Sequence, residues 1–281
     1  MYEIFLICLA LIWIFFAVIS DFKKREIPDW VSFSLIAFAF SYRAFVSIFL
    51  WKDFFTPGII GMVIFFVVGE VMYRVGFGGG DAKLLTALGT VLPFSLIFIE
   101  NLKLLLNFFL SLMFIGAGYS LFFSFVVVFC NWKKFLEKFK QKMLREKKIF
   151  IIFFLFFAIF LVLSFFSLIF IVFASFLIIT PVLLFYSKVF EELMVKIVPV
   201  SKLTIGDWLY ENVKVGNKII KPRVTGLDEK ELQILQKYNK KVKIKDGIPF
   251  TISFLLAFLF VIYLWYSNRS FFYNYFWFFF R

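Results

Sequence analysis

The stretch IFIIFFLFFAIFLVLSFFSLIFIVFASFLIITPVLLFYS, residues 149–187, runs for 39 positions without a charged side chain. A single helix of that length would be about 58 Å long, well beyond the ~30 Å hydrocarbon core of a bilayer. The stretch therefore reads as a hairpin of two short membrane spans, bent near residues 164–167. Neither Gly nor Pro marks the bend, so length and the charge orientation below carry this reading, and one long helix projecting out of the membrane is the competing one.

Working outward, the same apolar texture covers most of the chain. Of 281 residues, 63% are hydrophobic and 23% aromatic, 48 are Phe, and the mean hydropathy is +0.94. Soluble domains hold only about 45–50% apolar residues, so the composition excludes a soluble globular enzyme. Further apolar runs occupy residues 4–20, 29–50, 57–73, 82–99, 102–130 and 250–266. The first is read as a span and not a removable signal, because it starts with Tyr2-Glu3 and has no basic leader or small-residue cleavage site. Together with the hairpin these runs predict an all-α polytopic membrane protein of about eight transmembrane helices (six to eight by the strictest and loosest readings). Residues 1–130 form a five-span core and 131–187 a basic loop followed by the hairpin. Residues 188–248 form a small α+β cytoplasmic domain inserted before the last helix. Residues 249–281 hold the last span and a tail whose Phe, Tyr and Trp suit the membrane interface. Within the small domain, 213–215 and 218–220 read as strands, 228–238 as a helix and 240–245 as a further strand.

Charge orients the bundle. Residues 131–148 alone carry eight Lys or Arg against two Glu. With the Asp21 loop, the Asp81 turn, this segment and the small domain on one side, that side holds 26 basic residues and the other only 4. The positive-inside rule makes the richer side cytoplasmic. The net charge of +13 is then a property of cytoplasmic loops, and no nucleic-acid partner is expected; membrane lipid is.

The chain has no histidine and two cysteines, Cys8 and Cys130, far apart in apolar runs. This excludes triads that use His, His-ligated metals and CxxC chemistry. Both cysteines read as small buried hydrophobes. No metal site and no cofactor is predicted. What remains is carboxylate chemistry. Asp21 stands at the inner end of the first span, and Asp81 follows Gly78-Gly79-Gly80 at the inner start of the fourth. Ionisable groups at such positions are functional candidates. Two carboxylates sharing a site can divide one proton, so that one acts as general base and the other as general acid. The three glycines break the chain before Asp81 and allow close approach of backbones.

The segment Gly78-Gly79-Gly80-Asp81-Ala82-Lys83-Leu84 resembles the GxGD signature of the type IV prepilin peptidases, in particular the archaeal preflagellin and prepilin peptidases. Asp21 followed by basic residues and Ile27-Pro28-Asp29 is similar to the family's first-aspartate motif. Ile205-Gly206-Asp207, Gly226-Leu227 and Gly247-Ile248-Pro249-Phe250 look like the family's C-terminal region. The resemblance implies a membrane aspartyl endopeptidase with Asp21 and Asp81 as the catalytic pair. Its substrates would be preflagellin or prepilin-like proteins, cut after a short basic leader at the cytoplasmic face. Glu26, Asp29 and Glu70 are the candidate contacts for such a leader. Glu70 could instead pair with Arg74 at i,i+4. Lys83 could tune Asp81 or meet lipid phosphate. The alternative from another class is an ion- or proton-coupled transporter using Asp21, Glu70 and Asp81 as a relay. The region 131–187 exceeds the compact plan of the resembling family.

Overall fold

The computed structural model describes residues 2–167, 169–216, 218–237 and 241–267. The predicted aromatic tail at 270–281 and residues 238–240, the end of the predicted helix and the start of the next predicted strand, lie outside the described residues. The helices are α1 (Tyr2–Lys24), α2 (Asp29–Leu50), α3 (Phe55–Arg74), α4 (Gly79–Val91), α5 (Phe98–Cys130), α6 (Trp132–Arg145), α7 (Lys147–Leu163), α8 (Ile169–Leu193), α9 (Glu229–Gln236) and α10 (Thr251–Tyr266). Five of them, α1, α2, α3, α5 and α8, are long and apolar enough to cross a bilayer, and α7 and α10 are shorter apolar helices. The polytopic helical architecture is thus present, with differences in where individual spans begin and end.

The fourth run differs most. Residues 82–99 were expected to form one span, but α4 stops at Val91 and α5 starts at Phe98. Pro93 has no N–H to continue the ladder. The turn that follows is built by Asn101, whose side chain accepts from Ser95 N at 2.9 Å and donates to Ser95 O at 2.7 Å. At 13 residues, α4 is about 20 Å long, too short to span alone.

The chain divides into two compact units, residues 1–121 with 197–281, and residues 122–196. In the first unit, α3 and α4 lie closest. A Cβ on Gly61 would stand 2.2 Å from the backbone O of Gly89, and one on Gly89 would stand 2.4 Å from that of Gly61. A Cβ on Gly69 would meet Ala82 O at 2.9 Å. Small residues are what allow membrane helices to touch backbone to backbone. The open end of α4 is closed by Arg43 of α2, which is fully buried. Its guanidinium donates to the carbonyls of Thr90 (2.6 Å), Val91 (3.0 Å), Pro93 (2.6 Å) and Phe54 (2.9 Å). A cation is favoured at a helix C-terminus, where carbonyls lack partners. Gly58 leaves room for it, since a Cβ there would lie 2.6 Å from Arg43 Cδ.

The same unit holds the small domain. β1 (Val195–Pro199), β5 (Lys241–Lys245) and β2 (Trp208–Leu209) form a sheet in the order β1-β5-β2, and β3 (Val213–Val215) pairs antiparallel with β4 (Lys218–Ile220). Its own core gathers Val200, Leu203, Leu209, Ile220, Leu235 and Val242. Helix α9 starts with a capping box between Asp228 and Glu231, which satisfies two otherwise orphaned donors.

In the second unit, α7 and α8 form a hairpin turning between Leu163 and Ile169. The segment read as a basic loop is instead largely helical, as α6. Its apolar residues at 132, 135, 136, 139 and 143 recur at helical spacing. Phe135 packs with Val128 and Val189, and Lys138 and Lys142 both reach Glu192 (3.1 and 2.5 Å). The two cysteines, read as buried, are both exposed and free. In lipid the outside of a helix is as apolar as the inside, so a small hydrophobe gains nothing by facing inward.

Candidate active site

Asp21 sits one turn before the end of α1, where residues 21–24 switch from apolar to basic. Its side chain is buried. A buried carboxylate needs donors, and Thr251 at the start of α10 provides two. Its backbone N–H donates to Asp21 Oδ2 at 3.1 Å and its hydroxyl at 2.9 Å. Helix α10 begins where it does because Pro249 precedes Phe250, and Phe250 anchors the entry. Its ring lies edge-on to Phe77 at 4.9 Å, in the space left by Gly116, where a Cβ would meet it at 2.3 Å.

Asp81 is in the first turn of α4. Helix α3 ends at Arg74, and Gly76 makes the connecting turn at φ +108°, a backbone state that favours glycine. Gly78 is the N-cap with φ −61°, so its value is space and not conformational freedom. A Cβ there would stand 2.7 Å from Asp81 Oδ2. A Cβ on Gly80 would press on Ile27 at 3.0 Å, and one on Gly79 would touch the Tyr73 ring at 3.5 Å. The glycines thus let the carboxylate fold back over the helix start and let the Ile27-Pro28 turn close against it. Asp81 and Asp21 are near enough to feel each other's charge. Tyr119 of α5 and Arg25 lie within the same electrostatic neighbourhood.

The other sequence candidates separate. Glu26 accepts from the Thr204 hydroxyl of the small domain. Asp29 pairs with Lys83 at 2.5 Å on an exposed surface, so Lys83 meets a carboxylate that neither sequence reading had given it. Glu70 takes the i,i+4 option with Arg74 at 3.0 Å and does not join the two aspartates. Around Glu26 stand two acidic residues that sequence reasoning left out. Asp246 pairs with Arg25 at 3.9 Å. Asp207 accepts from Thr204 N at 2.8 Å. Burial first, and then the charges of Glu26 and Asp246, push the Asp207 carboxyl above the usual carboxylate range, against the pull of the Thr204 amide. Thr251 was also missed; its place one residue after Pro249-Phe250, at the start of a span, was the available signal. Arg43 could have been found as a charge set well inside an apolar run. Among the described residues no cluster of metal-ligating side chains occurs.

A bundle of apolar helices that buries one carboxylate and sets a second beside it at a glycine-built helix start defines a polytopic membrane protein with a two-carboxylate site. The family model of the type IV leader peptidase family matches residues 8–121, a stretch that includes both carboxylates. The chain is 35% identical over 123 residues to the preflagellin peptidase of Methanococcus maripaludis, covering 41% of this chain and 54% of that protein. It is 38% identical over 79 residues to the preflagellin peptidase of Methanocaldococcus jannaschii, covering 27% and 33%. It is 34% identical over 100 residues to the prepilin peptidase EppA of Methanothermobacter thermautotrophicus, covering 33% and 24%. The chain thus spans about half the length of the first of these relatives and less of the others. No solved structure matches it.

Proposed function

We propose that the chain is an aspartic-type endopeptidase of the membrane. It removes the short basic leader from preflagellin or type IV prepilin-like proteins at the cytoplasmic face. The observation that carries this reading is buried Asp21, held by Thr251, lying within electrostatic reach of Asp81 inside the family-matched segment. Two donors converge on one oxygen of Asp21, and hydrogen bonds to a carboxylate favour its charged form. We therefore assign Asp21 as the base and Asp81 as the bearer of the shared proton. A water between them gives a proton to Asp21 as its oxygen attacks the scissile carbonyl carbon. Asp81 donates its proton to the carbonyl oxygen. Collapse of the tetrahedral intermediate breaks the C–N bond, with a proton passing to the leaving amine. Glu26, Asp207 and Asp246 give the mouth of the site the acidic character that a basic leader requires, a role this reading moves away from Asp29 and Glu70. The transporter alternative needs Glu70 in a relay, and Glu70 is engaged with Arg74 instead.

The test is cleavage of a preflagellin-like substrate in membranes. Asp21→Asn and Asp81→Asn should each lower the rate by at least about 10²–10⁴-fold while leaving protein level in the membrane unchanged. The wild-type rate should trace a bell in pH, as a coupled pair does. Full activity in either variant would end the dyad assignment.

A further inference from the structure

We infer that the α5–α6 corner is a binding surface for anionic phospholipid, independent of the peptidase reading. Helix α6 joins the end of α5 at Cys130 to the start of α7 at Lys147 with one residue on either side. It connects two apolar helices at a single membrane face, and its length must run along that face.

The sides of α6 are distinct. One packs within its own unit: Phe135 lies against Tyr186 at 5.6 Å, Phe139 edge-on to Phe185 at 6.5 Å, and Lys138 and Lys142 pair with Glu192. Beside that contact runs a stripe of Trp132, Leu136 and Met143, 52%, 47% and 36% exposed. At 100° per residue these three fall within about 40° of one another. Lys133 and Lys140, seven residues apart, border the stripe on its free edge. Both are exposed, and neither forms an ion pair among the described residues. At the N-terminal end the stripe opens into an apolar recess of about 350 Å³ lined by Phe125, Val126, Val128, Phe129 and Trp132.

This arrangement is that of an interfacial amphipathic helix, with an apolar face set at the acyl boundary and lysines at headgroup level. The recess takes an acyl chain, and Lys133 and Lys140 take the phosphates. The sign of the charge commits the occupant. Segment 131–148 is net +6, and a lipid carrying net negative charge is favoured over a zwitterionic one by each lysine at the surface.

The experiment uses the full chain with Cys8 and Cys130 changed to Ala and a bimane label on Leu136→Cys. It is reconstituted in phosphatidylcholine bilayers to which acyl-brominated phosphatidylglycerol or acyl-brominated phosphatidylcholine is added. Phosphatidylglycerol should quench at a lower mole fraction, by about fivefold for each lysine. In the Lys133→Gln/Lys140→Gln background the two quenching curves should converge. Equal quenching by both lipids in the lysine-bearing chain would overturn the anionic preference. Absence of quenching by either would show the stripe covered by protein and overturn the site altogether.

Discussion

Helices α3 and α4, with several glycines, and the α7–α8 hairpin, rich in Phe, Ile and Leu, are both packed helix pairs, yet they are joined differently. The first pair meets through Gly61, Gly69 and Gly89, where backbone lies against backbone, and its end is tied by Arg43. The second meets through aromatic rings: Phe150 stacks on Phe185 at 4.8 Å, and Phe160 tilts against Phe170 and Phe173 at about 6 Å. Ring contacts have broad optima, whereas a glycine contact tolerates no added carbon and so fixes register. The pair that carries Asp81 is the one held by the stricter device. In a lipid solvent, where apolarity does not distinguish inside from outside, position is set by close backbone contacts and by polar groups that have only one place to go.

The sharpest break of this comparison is Arg43→Met. It leaves the carbonyls of Thr90, Val91 and Pro93 buried without their donor, and it should cost at least about 3 kcal/mol, read as unfolding in detergent. An unchanged midpoint would mean that the end of α4 does not depend on the guanidinium. Next is Gly61→Ala, which forces a carbon against Gly89 O and should cost about 1–3 kcal/mol. Phe160→Leu, its counterpart in the hairpin, should stay below about 1.5 kcal/mol. If the two costs were equal, the strict and the adaptable interface would not differ in kind.

Gly78→Ala sharpens the argument in the opposite way. The added carbon meets only the end of the Asp81 side chain, which can swing aside, so stability should hold within about 0.5 kcal/mol. Leader cleavage should nevertheless fall by about 10–100-fold, because the carboxylate is displaced. Loss of stability and activity in parallel would make Gly78 a structural glycine only. The smallest effect belongs to Asp29→Ala. The pair it makes with Lys83 is exposed, so the change should cost less than about 1 kcal/mol and leave cleavage within twofold.

Much of this was legible in the sequence. Uncharged length announced the spans, and Asp21 and Asp81 stood out because so little else in the chain can do chemistry. The shortness of α4 was hidden because Pro93 sits in an otherwise unbroken apolar run, and hydropathy does not register a missing N–H. The exposure of Cys8 and Cys130 was misread by applying a rule for water to a protein in lipid. The grouping of Glu26 with Asp207 and Asp246 was not legible because side-chain pairing is not local. Lys83 finds Asp29 across 54 positions, and Glu26 finds Thr204 across 178. Such pairings neutralise some carboxylates and gather others, and periodicity carries no trace of them.

Arg43 also has a consequence in time. Apart from the Phe54 carbonyl, its acceptors lie 47, 48 and 50 residues further along the chain. At about 5–20 residues per second on the ribosome, the guanidinium is synthesised roughly 2–10 s before those carbonyls exist. During that interval its charge must remain in the insertion machinery or near water. The lateral release of α2 into lipid is thereby tied to the arrival of α4, so the residue that closes the helix end also orders the steps of membrane insertion.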